Sequence, residues 1–222
     1  WYAVPSMNAF GTGNWDMTGG SDPWYMKRVV DYILANNAHL VFDADRFYPV
    51  GGINPRPPLF TWSMAIGAMV LEPFLSTPED AVWWSMLALP AIYGALTVFP
   101  IAIMAKDHFG KGAGVLAAWL IAFMPAHVTH STWALADHDA FVMLFISIGF
   151  MYWLRAVKYA GSARITKTTS AHPMSFVRAF NDVAQHRQAA MANAALAGVA
   201  FGIVALGWKG FVVGPSVLFL AY

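Results

Sequence analysis

Two carboxylates and an imidazole fall within three residues at Ala136-Asp137-His138-Asp139, immediately before a long apolar run. One acid is enough to cap a helix, whose positive N-terminal end favours negative charge, and capping is the plain structural reading of this triplet. Two unpaired like charges beside lipid are costly, however, and a bound divalent cation would offset their repulsion. Carboxylate oxygens suit Mg²⁺ or Mn²⁺, and the absence of cysteine removes every thiolate alternative. A second acidic site is Ser21-Asp22-Pro23-Trp24-Tyr25. Asp followed by Pro, then Trp24, Val30, Ile33 and Leu34, reads as an N-cap with proline at N1 opening an amphipathic helix. Asp43-Ala44-Asp45 lies beside Arg46 in a polar stretch and reads as solvated or paired to that arginine. Arg56, in Asn54-Pro55-Arg56-Pro57-Pro58, stands where the chain re-enters apolar sequence. It reads either as a surface arginine against lipid headgroups or as a phosphate contact, since guanidinium matches phosphate geometry. His127 and His130 are spaced for one helical face and read as hydrogen-bonded helix-end histidines, outside the site.

These side chains must be positioned by membrane helices. The 222 residues are 58% hydrophobic and only 11% charged, with ten Trp and sixteen Phe, and the mean hydropathy is +0.51. A soluble domain carries roughly 25% charge, so this composition describes an all-α integral membrane protein and excludes disordered, collagen-like and coiled-coil chains. The net charge of +1 supplies no basic face for nucleic acid. Uncharged runs long enough to cross a bilayer mark spans at about Ala81–Ala105, Gly112–Ala136, Asp139–Tyr159 and Gln188–Trp208, with Gly210–Tyr222 beginning a fifth. Pro57–Leu71 is too short to span comfortably and is read as an interfacial or re-entrant helix. The first domain is therefore residues 1–80, a long external loop with amphipathic or interfacial helices. The second is residues 81–222, transmembrane helices joined by short loops. Trp1 at the start and an apolar run at the end read as a piece of a longer protein.

Arg155, Lys158, Arg164, Lys167, Arg178 and Arg187 face a single acid, Asp182, over residues 155–187. That basic loop is expected to be cytoplasmic. Counting spans back puts residues 131–139 outside, and a non-spanning Pro57–Leu71 puts Asp22 on the same outer face as Asp137 and Asp139.

The motifs occur in a definite order: Gly11-Thr12-Gly13-Asn14, Ser21-Asp22-Pro23-Trp24-Tyr25, Phe42-Asp43 with Tyr48-Pro49-Val50-Gly51, Pro58-Leu59-Phe60, Asp137-His138-Asp139, and Gly207-Trp208-Lys209-Gly210-Phe211. In that order they resemble the N-terminal membrane part of archaeal oligosaccharyltransferase catalytic subunits of the AglB type, within the GT-C class of polytopic glycosyltransferases. The resemblance covers nearly the whole chain. It implies transfer of an oligosaccharide from a dolichol-type lipid phosphate or pyrophosphate to the asparagine of an Asn-x-Ser/Thr sequon in an acceptor polypeptide. The cell membrane would hold the protein, with the site on its extracytoplasmic face.

By the same resemblance, Asp22 and Asp137 are catalytic, and Asp22, Asp137 and Asp139 hold Mn²⁺ or Mg²⁺. Arg56 is expected at the donor phosphate and His138 behind the ion. The family's first transmembrane helix would precede Trp1, and its later-loop acid and sequon-reading C-terminal domain lie outside these residues. A protein O-mannosyltransferase or related lipid-phosphate-sugar transferase is the rival within the fold class. A divalent-cation transporter and a non-catalytic scaffold are the rivals outside it; transporters place their acids near the bilayer midplane.

Overall fold

The computed structural model describes residues 16–166 and 173–220, with side chains over 16–161 and 184–218. The Gly11-Thr12-Gly13-Asn14 motif and the side chains of Arg164, Lys167, Arg178 and Asp182 lie outside those ranges. The described chain is helical apart from one small hairpin. In order come α1 (Ser21–Asn36), β1 (Phe42–Asp43), β2 (Gly52–Ile53), α2 (Pro58–Leu71), α3 (Pro78–Phe109), α4 (Lys111–Phe123), α5 (Pro125–His130), α6 (Asp139–Thr166), α7 (Pro173–Gly207) and α8 (Val213–Leu220). The strands pair antiparallel, Phe42 opposite Ile53 and Asp43 opposite Gly52.

Among the described residues, three helices are long and apolar enough to cross a membrane: Pro78–Phe109, Asp139–Gly161 and Ala184–Gly207. They match three of the four full spans expected from the sequence. The expected span Gly112–Ala136 is not one helix. Proline 125 has no N–H to continue the ladder, and Met124 before it is extended at φ −66° and ψ 117°. The run therefore breaks into α4, the six-residue α5 and an irregular turn. Pro57–Leu71 appears as the 14-residue α2, roughly 21 Å long and short of a span, as its length predicted. The basic stretch 155–187 is not a loop of that length, because α6 continues to Thr166 and α7 begins at Pro173. Its Ala, Lys and Arg residues favour helix, and Pro173 sits in the first turn, where its missing N–H costs nothing.

Paired contacts fix the directions. Ser85 Oγ donates to the Met64 carbonyl and Tyr93 Oη to Ser63 Oγ, so α2 and α3 run antiparallel. Phe141 lies against Gly207, Gly149 against Phe201 and Tyr159 against His186, so α6 and α7 do as well. On the α3–α5 side, a Cβ at Gly94 would stand 2.3 Å from Ser131 Cβ, a separation only glycine permits; His127, buried, hydrogen-bonds the Gly94 carbonyl at 3.1 Å. At the other end of the bundle, Arg155 Nε donates to Asp107 Oδ2 and Lys158 Nζ to the Asp107 carbonyl, each at 2.6 Å.

The apolar core lies under the first loop. Met26, Val29, Val30 and Ile33 of α1, Phe60 and Met64 of α2, Met86 and Leu87 of α3, Ala134 and Ala136, Phe141 of α6 and Val204 of α7 form one buried cluster. The boundary at residue 80 thus divides sequence character rather than packing units: α1 and α2 share their core with the transmembrane helices.

Candidate functional site

The site is built where the first loop meets the turn leading into α6. Trp133 packs edge-on against Trp84, and Ala134 N donates to the Leu87 carbonyl at 3.0 Å, one turn before Pro90. The turn is closed by Asp137 N to the Leu135 carbonyl at 2.7 Å. On its other side Thr18 N donates to the Ala134 carbonyl at 3.0 Å. Gly19 follows at φ +97°, and a Cβ there would meet Leu135 Cδ1 at 2.3 Å. Two residues on, α1 begins. The segment carrying Asp22 is thereby fastened directly to the turn carrying Asp137, as the common-face expectation required.

Asp22 does not cap its helix. The N-cap is Gly20, with no side-chain hydrogen bond, and Asp22 lies within the first turn. This corrects the N-cap assignment: the positive-φ backbone at Gly19 and Gly20 starts the helix two residues earlier than the Asp-Pro pair suggests. The Asp22 carboxylate instead meets Arg56, Nη2 to Oδ2 at 2.7 Å. The positive charge of Arg56 is also felt at Asp137, as the smallest of the influences on that carboxyl. Burial alone would raise the Asp137 carboxyl, but His138, through its close ring nitrogen and its backbone N–H, and to a smaller extent the charge of Arg56, hold it below its ordinary range.

Ligand atoms of Asp137, His138 and Asp139 lie within 4.8 Å of one another, close to the roughly 4.2 Å spanned by two ligands at about 2.1 Å from one ion. His138 is 12% exposed. Its Nδ1 stands 2.5 Å from Asp137 Oδ1 but is out of line for a hydrogen bond, leaving a buried nitrogen without an aligned partner. Its ring lies 6.1 Å from that of Trp208, in the last of the sequence motifs. Two carboxylates and a poorly satisfied imidazole form a donor set that fits a divalent ion. Asp22 is not within this cluster; it joins through Arg56.

His130, left out of the site by its sequence context, belongs beside it. Its Nδ1 is 2.7 Å from Asp139 Oδ2. Only the break at Pro125, which turns α5 back toward the head of α6, brings it there. The spacing of His127 and His130 suggested one shared role, yet they diverge, His127 into the core and His130 to the carboxylate. Asp43 and Asp45 are ion-paired, though to Arg28 rather than Arg46. Arg28 grips buried Asp43 with Nε at 3.0 Å and Nη2 at 2.8 Å, and reaches Asp45 at 2.5 Å. Arg46 instead hydrogen-bonds the Ile53 carbonyl. The Arg28 hydrogen bonds hold the Asp43 carboxyl low despite its burial. A polar cavity of about 370 Å³ opens between these pairs and Asp22, lined in part by Tyr25, Arg28, Arg46 and Arg56.

Comparison with known proteins supplies the family context. Residues 4–222 match the model of the family described as "Oligosaccharyl transferase STT3, N-terminal". The chain is 27% identical over 207 residues to dolichyl-phosphooligosaccharide-protein glycotransferase 3 of Archaeoglobus fulgidus, covering 90% of this chain and 21% of that protein. It is 27% identical over 164 residues to the dolichyl-monophosphooligosaccharide–protein glycotransferase AglB of Haloferax volcanii, covering 72% and 15% respectively. The fold matches the Archaeoglobus fulgidus oligosaccharyltransferase AglB in complex with an inhibitory peptide and a dolichol-phosphate, with a TM-score of 0.71 and 21% identity over 92% of this chain and 22% of that one. A complex of the Archaeoglobus fulgidus oligosaccharyltransferase with Zn and sulfate gives a TM-score of 0.69 at 22% identity, over 92% of this chain and 23% of that one. The chain spans about a fifth of the length of these relatives.

Proposed function

Since the chain belongs to the oligosaccharyl transferase STT3 N-terminal family, we propose that it forms the site-bearing membrane part of an enzyme of protein N-glycosylation. That enzyme transfers an oligosaccharide from a dolichol-type lipid phosphate or pyrophosphate to the asparagine of Asn-x-Ser/Thr sequons. The site lies on the extracytoplasmic face of the cell membrane. The observation that carries this reading is the fastening of the Asp22 segment to the Asp137 turn, with Arg56 paired to Asp22 beside it. Support also comes from position: the acids gather at one end of the bundle, opposite the Arg155 and Lys158 end, as an interfacial transferase needs and a midplane transporter does not.

The chemistry follows from the acceptor. An asparagine amide is a poor nucleophile because resonance delocalises its nitrogen lone pair. Asp22 and Asp137 accept hydrogen bonds from its N–H groups and orient the nitrogen toward the anomeric carbon. Asp22, Asp137 and Asp139 would hold Mn²⁺ or Mg²⁺, with His138 beside them. When bound, that ion supplies Lewis-acid stabilisation of the charge that builds on the leaving phosphate. Arg56 contributes a guanidinium of matching shape to the same phosphate.

The decisive experiment uses the full-length protein, a lipid-linked oligosaccharide and a sequon peptide. Asp22→Ala and Asp137→Ala each abolish glycopeptide formation, while EDTA stops it and Mn²⁺ or Mg²⁺ restores it. Full activity in either variant, or turnover indifferent to EDTA, refutes the assignment.

A further inference from the structure

Arg56 is an unusually well-mounted arginine. Its backbone N–H donates to Asn54 Oδ1 at 2.9 Å, and Asn54, itself buried, donates through Nδ2 to the Leu40 carbonyl at 2.8 Å. The Arg56 carbonyl meets His39 Nε2 at 3.3 Å. Pro55, Pro57 and Pro58 flank it, fixing their own φ angles and restricting the residues before them. The backbone is pinned, while the long side chain, 23% exposed, has several rotatable bonds between that mount and its head. Redirecting it requires only rotamer changes, and no loop movement.

In the described state that head neutralises Asp22 at 2.7 Å. A cation is therefore already present where a divalent ion would need the same carboxylate. We propose that Arg56 is a resident counter-ion: it holds Asp22 while no divalent ion is bound and releases it when one enters. This rests on Asp22 being a ligand of that ion. Pairing neutralises a half-exposed carboxylate on the segment that is fastened to the Asp137 turn. Release then leaves the guanidinium, still on its fixed mount, without an anion, so that an arriving phosphate finds an unpaired partner. Ion entry and phosphate capture are coupled through one side chain, since each favours the state in which Arg56 has left Asp22.

The competition has a measurable sign. A partly exposed ion pair of this kind biases the equilibrium toward the closed state by a factor of about 1.5 to 5, and the apparent ion affinity falls by a similar factor. Mn²⁺ alone is titrated into the full-length protein, with free Mn²⁺ followed by its electron paramagnetic resonance signal. Arg56→Ala tightens Mn²⁺ binding by about 1.5- to fivefold, and Arg56→Lys, which keeps the charge without the planar fork, tightens it less. Asp22→Asn weakens binding, and adding Arg56→Ala to it brings no further change. Loss of a merely structural arginine would not raise affinity. If Arg56→Ala leaves affinity unchanged or lowers it while Asp22→Asn weakens binding, the counter-ion role is wrong. If Arg56→Ala tightens binding equally with Asp22→Asn present, Arg56 acts only by its general field and the exchange is wrong. If Asp22→Asn leaves affinity unchanged, the ligand assignment of Asp22 falls, and the proposal with it.

Discussion

Gly19→Ala tests how closely the two acidic segments must be held. The substitution carries two separable costs. At φ +97° a Cβ is disfavoured, which costs about 1–2 kcal/mol. The new methyl also meets Leu135 Cδ1 at 2.3 Å, far inside contact distance. Relieving that overlap by moving the half-buried Leu135 adds about 1–3 kcal/mol. Together they reach about 2–5 kcal/mol, and the strain falls on the Thr18–Ala134 hydrogen bond that fastens Asp22 to the Asp137 turn. Transfer activity is thus expected to fall by at least an order of magnitude even where the protein remains folded, because a displacement of about 1 Å at the reacting groups can cost a hundredfold. The assay is glycopeptide formation beside thermal denaturation in the same detergent. Leu135→Ala combined with Gly19→Ala removes the overlap but not the backbone penalty, so it restores part of the stability and part of the activity. Wild-type activity in Gly19→Ala, or no recovery in the pair, refutes the mechanical link between the two segments.

Two further outcomes follow from the ion pairs. Asp43→Asn breaks the two-pronged grip of Arg28 and destabilises the hairpin by about 1–3 kcal/mol, discounted because Arg28 is nearly half exposed. The Asp43 carboxyl titrates below its ordinary value of 3.8 in the folded state; the pair's stabilisation is therefore complete above that value and is lost as pH falls through the folded one. The difference in melting temperature between wild type and Asp43→Asn should be full at pH 7 and shrink below about pH 4; a constant difference contradicts the assignment. His130→Ala frees Asp139 from its 2.7 Å partner and lowers Mn²⁺ affinity by about tenfold, as loss of a ligand-orienting group does. Unchanged affinity in a Mn²⁺ titration would reduce that contact to a surface hydrogen bond.

Composition and charge-free length were sufficient to find Pro78–Phe109, Asp139–Gly161 and Ala184–Gly207, because a bilayer requires about 20 apolar residues whatever their neighbours. The same signal failed at Pro125: one proline breaks a helix without altering hydropathy, and the resulting return of α5 is what carries His130 to Asp139. The acids of the site were legible as clustered like charges beside lipid. Their partners were not. Arg46 is adjacent to Asp45 in sequence, yet Arg28, fifteen residues before Asp43, takes both acids because α1 presents it to the hairpin. Asp22 looked like a cap because Asp-Pro commonly is one; the two positive-φ glycines ahead of it moved the cap and left the carboxylate for Arg56. Pairings across elements are decided by backbone turns, which a single chain's residue pattern leaves open.

The helix bearing Asp139 is also tied down sixteen residues later, where Arg155 and Lys158 grip Asp107. It is therefore a rod of fixed length, about 24 Å between its two polar fastenings, set in a hydrocarbon layer of about 30 Å. A helix cannot stretch to follow a thicker bilayer, so a change in lipid chain length must be met by altered tilt or by drawing one polar end inward. The depth at which Asp139 meets water is in this way measured from the opposite leaflet, and membrane thickness becomes a variable of the chemistry.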